Sequence, residues 1–585
     1  MAIERRAFIA TAACASVLPS AFAATRGNGG KPLFTIGVLT DTHVTRKPES
    51  CGRIRMAYTL FKKLGVDRIV NCGDISNRFW PEAYGNYRDT VRSVYGEKKP
   101  DELFVYAYHD VIDYPPPNGD KSFAALGKVA FPEVKRLLGI TNDPYEYQLY
   151  RGYPFIVVPQ TPDIKKLEAM LKKARNEAPG KPIFLFGHEP PEGTTHNSTK
   201  WGNLQLYTLL SKYPQVVHTT GHVHGDLRNE EYFWQGTFTE FNAGCLYGWA
   251  SGPRGYGRAS FISHTVAVME VFPDRIDIRR YDIRDGEEIR PNAPWSVPLP
   301  YNPETAPFRR GARHEKAPEF AAEAKASASV DGNPLKGVHI RFPHVTGETR
   351  AFLYELDISR ITVDGTLVRI GTDDFCGDFH LRRQDRILEC ERTVSAAFFD
   401  IPGRYKIDIV PRGFCGMRGK ALAVEIESPG TGGKKVWESF DIPKDAPLVE
   451  GGKDPKPIKL SDGWYSGMRS WPFDAWPHLE IPEVCTAPAG TKYRVTVDFQ
   501  TEPPPGRRVW LLEWGAAKKA GGAEFLAKQQ YVPARDDSRL QRAVFEWTKG
   551  KAYPESAWTL YLRAGHSGKI RFEHIKIETL QKSAP

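Results

Sequence analysis

The chain has 585 residues, 41% hydrophobic and 26% charged, with a formal net charge of +10. At typical domain sizes of about 100 to 200 residues it holds two or three domains with sizeable cores, and its composition excludes wholesale disorder. Basic and acidic residues interleave, so no nucleic-acid stripe is evident, although an anionic substrate suits the modest positive balance.

Residues 1–23 read as a signal peptide. Arg5-Arg6 precede a weakly apolar stretch of small residues ending Ala21-Phe22-Ala23, with cleavage expected before Ala24. The arginine pair with Phe8 is similar to a bacterial twin-arginine signal, which places the protein in the periplasm or outside the cell. Ala7 to Ala23 is short for a span, and no later stretch is long and apolar enough for a transmembrane anchor. Of eight cysteines, Cys14 falls in that segment, and the odd remainder leaves at least one thiol unpaired. Cys72 ends a buried-looking strand, and Cys376, Cys390 and Cys415 leave room for one bridge.

From residue 31 to about 290, short apolar runs alternate with helical patterns. Arg55 to Leu64 puts Met56, Leu60 and Leu64 on one helical face. Asp163 to Ala178 does the same with Ile164, Leu167, Leu171 and Ala174, between Pro162 and Pro179-Gly180. Such alternation predicts an α/β layered fold with ligands in loops at the carboxyl ends of strands. Gly244 to Gly257, with Tyr247, Trp249 and Tyr256, reads as a loop at the mouth of a site, suited equally to substrate contact and to packing. Thr265 to Tyr281 predicts a hairpin around Pro273-Asp274, and 291–318, rich in Pro and charge, reads as linker.

Two all-β segments follow. Residues 319–446 alternate polar and apolar positions, as in Arg404 to Ile409, and predict a β-sandwich loosely similar to a fibronectin type III module. After a Gly/Pro/Lys-rich boundary at 451–459, residues 455–585 alternate again, a layout that resembles jelly-roll carbohydrate-binding modules. Seven tryptophans lie in this last unit: Trp464, Trp471, Trp476, Trp510, Trp514, Trp547 and Trp558. The first three, in a Pro/Gly/Ser-rich stretch, are candidates for a glycan-stacking or partner surface, with internal packing the competing use of all seven.

Five apolar runs stop at residues with metal-ligand chemistry. Phe34 to Leu39 ends before Asp41-Thr42-His43, Val66 to Cys72 before Gly73-Asp74, and Leu103 to Ala107 before Tyr108-His109-Asp110. Ile183 to Phe186 ends before Gly187-His188, and Val216 to Thr220 before Gly221-His222-Val223-His224-Gly225. One His or Asp after a strand is ordinarily a turn or cap residue; five in this order reverse that reading. The last two imidazoles, flanked by glycines that free the backbone to turn, can face one metal that needs further ligands from elsewhere. His196 and His218 lie near these motifs and match none.

This ordered set resembles the calcineurin-like metallophosphoesterases, whose pattern is Asp-x-His, Gly-Asp-x-x-Asp, Gly-Asn-His-Asp/Glu, Gly-His and Gly-His-x-His, over residues 31–290. The resemblance implies a four-layer metallophosphoesterase-type β-sandwich flanked by helices, here followed by two all-β sandwich domains. It also implies two divalent or mixed-valence metal ions, with Mn, Fe, Zn and Ni not distinguished. Asp41, His43, Asp74 and His224 would hold the first, Asp74 would bridge, and His188 and His222 would complete the second. A metal-bound hydroxide would attack the phosphorus of a small or polymer-linked phosphate ester, monoester or diester. His109 matches the histidine that stabilises the transferring group or protonates the leaving oxygen, and Arg78 a position that holds phosphate in several members.

Two positions depart from the pattern. Asn77 stands where its last Asp belongs, and a neutral amide can orient His109 without stabilising an imidazolium. Tyr108 replaces the Asn that offers an oxygen to the second metal. Its phenol reaches further out, so it is expected to pack beside the site or touch substrate, leaving the second metal to Asp74, His188 and His222 with water; the other reading is that a phenolate swings across to ligate a hard ion such as iron(III), and Asn77 too is a candidate for metal or substrate contact. These departures sustain an alternative reading: a phosphoesterase-like protein without turnover that binds glycans or a surface partner through its β modules.

Overall fold

The computed structural model describes residues 30–581 except 97, 197, 248–262, 310–311, 313–315, 334, 347–348, 382–387, 415, 431–437, 443–458, 467–477, 482–489, 503–510, 519–529, 534–540, 549–557 and 565–568. The expected signal segment, Trp249, Tyr256, Cys415, Trp471, Trp476 and Trp510 lie outside the described residues.

In chain order the strands of the first domain are β1 (Phe34–Leu39), β2 (Arg68–Asn71), β3 (Asp101–Phe104), β4 (Glu146–Tyr150), β5 (Tyr153–Val157), β6 (Ile183–Phe186) and β7 (Val216–Thr220). There follow β8 (Phe233–Gln235), β9 (Thr239–Asn242), β10 (Thr265–Val271), β11 (Arg275–Asp282), β12 (Glu288–Ile289) and β13 (Trp295–Pro298). The helices are α1 (Gly52–Leu64), α2 (Pro81–Tyr95), α3 (Phe123–Leu138), α4 (Ile164–Glu177), α5 (Ser198–Trp201) and α6 (Leu204–Leu210). One sheet has the order β12-β11-β10-β1-β2-β3 with β13 also on β11; the other runs β4-β5-β6-β7-β9-β8.

Side-chain alternation explains why the two sheets stack. On β1, Phe34, Ile36 and Val38 enter the core between the sheets, whereas Leu39 joins the core beneath α1 and α2. Phe34 meets the rings of Tyr150, Tyr153, Phe155 and Phe184 from the opposite sheet. A third core packs α4 and α6 on the second sheet through Leu167, Leu171, Leu206 and Leu210. The result is four layers, helices outside two sheets, in which strands buried on both faces read as continuous apolar runs.

Local signals set the helix ends. Asp163 caps α4 by accepting the main-chain N–H of Lys165 and Lys166. Gly65, at a φ of 65°, ends α1. The buried face of α1 runs through Ile54, Ala57, Tyr58 and Phe61; Leu64, expected on it, sits beside that cap and is exposed.

The stretch read as linker, 291–318, begins inside the first domain. β13 pairs with β11, and its fully buried Trp295 stacks on Phe233 with ring centroids 5.2 Å apart and donates its indole N–H to Glu230 at 2.6 Å. One strand's alternation, Trp295 and Val297 inward, is too short to stand out against the Pro and charge around it.

Beyond it, a three-stranded sheet (Ser327–Asp331, Gly337–Pro343, Glu389–Ser395) faces a four-stranded one (Leu353–Ile361, Leu367–Cys376, Gly403–Arg412, Leu422–Ser428), all antiparallel. Val338, Ile340 and Phe342 pack there against Tyr354, Leu356, Tyr405 and Ile407. Cys376 and Cys390 are buried free thiols. Glu438–Ile442, expected in this unit, instead pairs with the terminal strand Lys569–Gln581, which also takes Lys492–Glu502. Trp464 lies in a strand, contrary to its reading as part of an irregular stretch, with the Arg571 guanidinium 5.2 Å from its ring centroid.

Candidate metal centre

The five motifs follow β1, β2, β3, β6 and β7, so main-chain pairing that begins in the sheets carries on into the loops. Beyond β1 and β2, the N–H groups of Asp41 and His43 donate to the carbonyls of Gly73 and Asp74, both at 3.0 Å. Beyond β6 and β7, the Gly221 N–H donates to the His188 carbonyl at 3.0 Å. Side chains then join the two sheets. Asp41 Oδ2 accepts the His222 N–H at 3.0 Å, and His188 Nδ1 donates to the Cys72 carbonyl at 2.7 Å.

Four of the expected ligands form one buried group: ligating atoms of Asp41, His43, Asp74 and His224 all lie within 4.8 Å of one another. His224 Nε2 is 3.0 Å from both Asp41 Oδ1 and His43 Nε2. His188 joins through Nε2, 3.1 Å from Asp74 Oδ2 and 3.9 Å from Asp41 Oδ1. The His222 ring sits beside that of His188, centroids 5.2 Å apart.

Backbone strain marks the same residues. Ten described residues other than glycine have positive φ, and Asp41, His43, Asp74, His222 and His224 are five of them. The glycines flanking the last two histidines do not supply the turn, since neither has positive φ; the histidines turn, and the glycines allow close approach. A Cβ on Gly221 would fall 2.4 Å from Asp41 Oδ2, and one on Gly225 1.9 Å from the Tyr232 ring.

Electrostatics couple the cluster. Burial works to raise the Asp41 carboxyl, but His224 and His188 outweigh it and hold it well below the usual carboxylate range. Burial would lower His188, yet Asp74 and Asp41 lift it to about 9, whereas burial and the neighbouring His188 push His222 down to about 3. The donor set tests directly as a cation site. Asp41 Oδ1 and His188 Nε2 are buried without a hydrogen bond, although Asp41 Oδ1 has three imidazole Nε2 atoms within 4 Å. Carboxylate and imidazole donors that converge at these distances suit a cation such as Mn, Fe, Zn or Ni.

The other expected residues are placed differently. His109 packs edge-on against His43 with ring centroids 4.7 Å apart, and its N–H donates to Asp74 Oδ1 at 3.1 Å. Its Nδ1 donates to the main-chain carbonyl of Asn77 at 2.8 Å, so the Asn77 side chain, expected to orient it, is not what does so. Arg78 is half exposed and paired with Asp113 at 2.6 Å. Tyr108 is tied by its N–H to Gln160 at 2.7 Å and turns its ring beside His109 and Phe123. Asp110 accepts the N–H groups of Ile75, Ser76 and Ala107, locking the second and third motif loops together.

Sequence reading passed over three neighbours. Cys245 shares a hydrogen bond with His224. Glu240 accepts from His218 at 2.6 Å and from Thr220 at 2.7 Å, fixing the end of β7 from below. Trp201 meets the His222 ring. None belongs to a motif.

Residues 34–226 match the family model described as calcineurin-like phosphoesterase. No curated protein matches the chain. Among solved structures, the sulfate thiohydrolase SoxB of Thermus thermophilus in complex with glycerol aligns at 12% identity over 43% of this chain and 58% of its own, with a TM-score of 0.26. The xylan-binding module CBM15 aligns at 10% identity over 25% of this chain and 99% of that one, TM-score 0.18. The CBM22-1 xylan-binding domain of Paenibacillus barcinonensis Xyn10C aligns at 10% over 24% and 100%, TM-score 0.15. Scores this low carry no argument about this chain. The family match and the buried Asp/His cluster do: residues 34–226 are a calcineurin-like phosphoesterase domain, and the protein is a metallophosphoesterase-type hydrolase.

Proposed function

We propose that this protein is an exported phosphoesterase that hydrolyses a phosphomonoester or phosphodiester with two divalent metal ions. The observation that carries the reading is the buried group in which ligating atoms of Asp41, His43, Asp74 and His224 lie within 4.8 Å of one another, with His188 Nε2 3.1 Å from Asp74 Oδ2. Asp41, His43, Asp74 and His224 would hold one ion, and Asp74, His188 and His222 the other. Bound metals supply Lewis acidity that offsets phosphoryl charge and acidifies water.

The chain's own groups prepare the site. The Cys72 carbonyl accepts the Nδ1–H of His188 and so turns its Nε2 towards the cluster, where it would ligate a bound metal. The Asn77 carbonyl fixes His109 in the same way, and the opposite nitrogen is left to pass a proton to the leaving oxygen. Export rests on Arg5-Arg6 and the stretch after it; among the described residues no helix is long and apolar enough to cross a membrane. A glycan-binding role for the last module rests on its strand pattern.

Metal analysis of the purified protein and hydrolysis of aryl phosphate mono- and diesters test the reading. Asp74→Asn and His224→Ala should each lose bound metal and about a thousandfold of activity, Asp74→Asn at least as much because it serves both ions. A parent protein that binds no Mn²⁺, Zn²⁺ or iron on reconstitution and hydrolyses neither ester would sink it, and leave the glycan-binding alternative.

A further inference from the structure

The outer face of α4 is crowded with cations. Lys165 and Lys172 stand two helical turns apart, as do Lys166 and Lys173, so the pairs form two rows along the helix. Arg175, Lys181 just past the helix and Lys212 just past α6 extend the field, and all of these side chains are exposed. The carboxylates among them are fewer and already engaged. Asp163 caps the helix, Glu168 meets Lys172 at 3.4 Å and Lys212 at 3.9 Å, and Glu177 meets Lys173 at 3.9 Å while accepting from the Tyr147 hydroxyl at 2.6 Å. Lys165, Lys166, Arg175 and Lys181 have no ion pair among the described residues. The apolar side of α4, Leu167, Leu171 and Ala174, is buried in the domain, so the helix meets a partner by charge and not by insertion.

Aromatic rings hold these cations in place. Lys166 Nζ lies 3.9 Å from the Tyr145 ring centroid, Lys173 Nζ 4.2 Å from that of Tyr147 and Lys181 Nζ 4.7 Å from that of Tyr153. The Arg175 guanidinium is 5.3 Å from the Tyr213 centroid. Long side chains that would otherwise wander are thereby partly ordered before anything binds. Each of these rings also has a face taken by a cation and not open to a nucleobase. Two residues beyond Tyr147 on the edge strand β4, and on the same face of the sheet, Leu149 is 49% exposed.

We propose that this face docks the protein reversibly on a lipid bilayer rich in anionic phospholipid. Ammonium groups act as point charges that suit phosphate headgroups, each adding about 1 kcal/mol near a charged membrane. Tyrosines and one open leucine beside them suit the interfacial zone, and the covered rings favour lipid over nucleic acid. Among the described residues no helix is long and apolar enough to cross a membrane. Binding by charge at a surface is therefore screened by salt.

Flotation of the full-length protein with vesicles tests this. At about 50 mM NaCl it should bind vesicles of about 30% phosphatidylglycerol in phosphatidylcholine at least tenfold more tightly than phosphatidylcholine alone, and about 500 mM NaCl should erase the preference. Lys165→Gln, Lys166→Gln, Lys172→Gln and Lys173→Gln combined should weaken that binding at least tenfold. Lys47→Gln, Lys63→Gln, Lys121→Gln and Lys128→Gln remove the same net charge from exposed positions elsewhere on the domain, and should stay within about twofold. Thermal melts by circular dichroism establish that both variants fold. Equal affinity for the two vesicles, a preference that survives the α4 changes, or equal losses in the two variants overturns the proposal. Tighter binding to single-stranded DNA than to the anionic vesicles, lost with the same α4 lysines, overturns it in favour of a nucleic-acid partner.

Discussion

Asp41, His43, Asp74, His222 and His224 hold left-handed backbone that costs on the order of 1–3 kcal/mol each, so the surroundings must over-determine them. They do so through the main chain. Hydrogen bonds from Asp41 and His43 to Gly73 and Asp74 lock two of the loops, and the His222 N–H on Asp41 locks the third. The same economy governs His109, whose ring is set by a carbonyl that any residue at position 77 would offer. Asn77→Ala should therefore keep hydrolysis within about threefold of the parent, with metal content unchanged. A loss above a hundredfold would restore the side chain as the orienting group. The Asp and His residues that cluster were legible in the sequence because each follows an apolar run. The carbonyl's role was not, since a main-chain contact leaves no mark on residue identity, and Trp201 was hidden because it reaches the site from a short helix between motifs.

At the scale of elements, the site depends on how strand ends are pinned. Asn242, the last residue of β9, donates to the Gly221 carbonyl and accepts the Gly244 N–H at 3.1 Å, so one amide ties the two-histidine loop to the loop bearing Tyr247. Asp282, the last residue of β11, does comparable work between Arg228 and Arg284. Burial would raise this carboxyl, but hydrogen bonds from Arg284 and the charge of Arg228 hold it below the usual carboxylate range. A carboxyl lowered on folding adds stability that is complete above its unfolded pKa of about 3.9 and is lost as pH falls towards the folded value. Asp282→Asn should cost about 2 kcal/mol near pH 7, and its deficit against the parent should shrink below about pH 4. Urea titrations from pH 7 to 3 would show this; a deficit constant across the range would assign the acid sensitivity elsewhere. Helix and hairpin positions were readable because period and caps agree, as at Asp163 and Gly65. β13 and Glu438–Ile442 were not, because the strand each joins is chosen by tertiary pairing, which no local pattern encodes.

For the whole molecule, the question is how the hydrolase domain and the β-sandwich after it are joined. Arg290, just past β12, reaches both. It donates to Glu230 at 3.2 Å inside the first domain, and its guanidinium lies 3.5 Å from the ring centroid of Phe379 in the sandwich. Glu230 keeps Arg280 at 2.8 Å and the Trp295 indole at 2.6 Å without it, so removing Arg290 leaves no bare buried carboxylate. What Arg290→Ala removes is the cation–π contact across the junction, about 1–2 kcal/mol where it is partly desolvated. Two domains that share this junction should then unfold less cooperatively. Scanning calorimetry of the variant should show the parent's transition broadening or splitting, and a protease should cut sooner within 299–320. Hydrolysis of a small aryl phosphate should stay within about twofold, because Glu230 and Phe379, which Arg290 contacts, do not belong to the Asp/His cluster. An unchanged single transition would mean that other contacts carry the junction, and a large loss of hydrolysis would mean that the sandwich shapes the site itself.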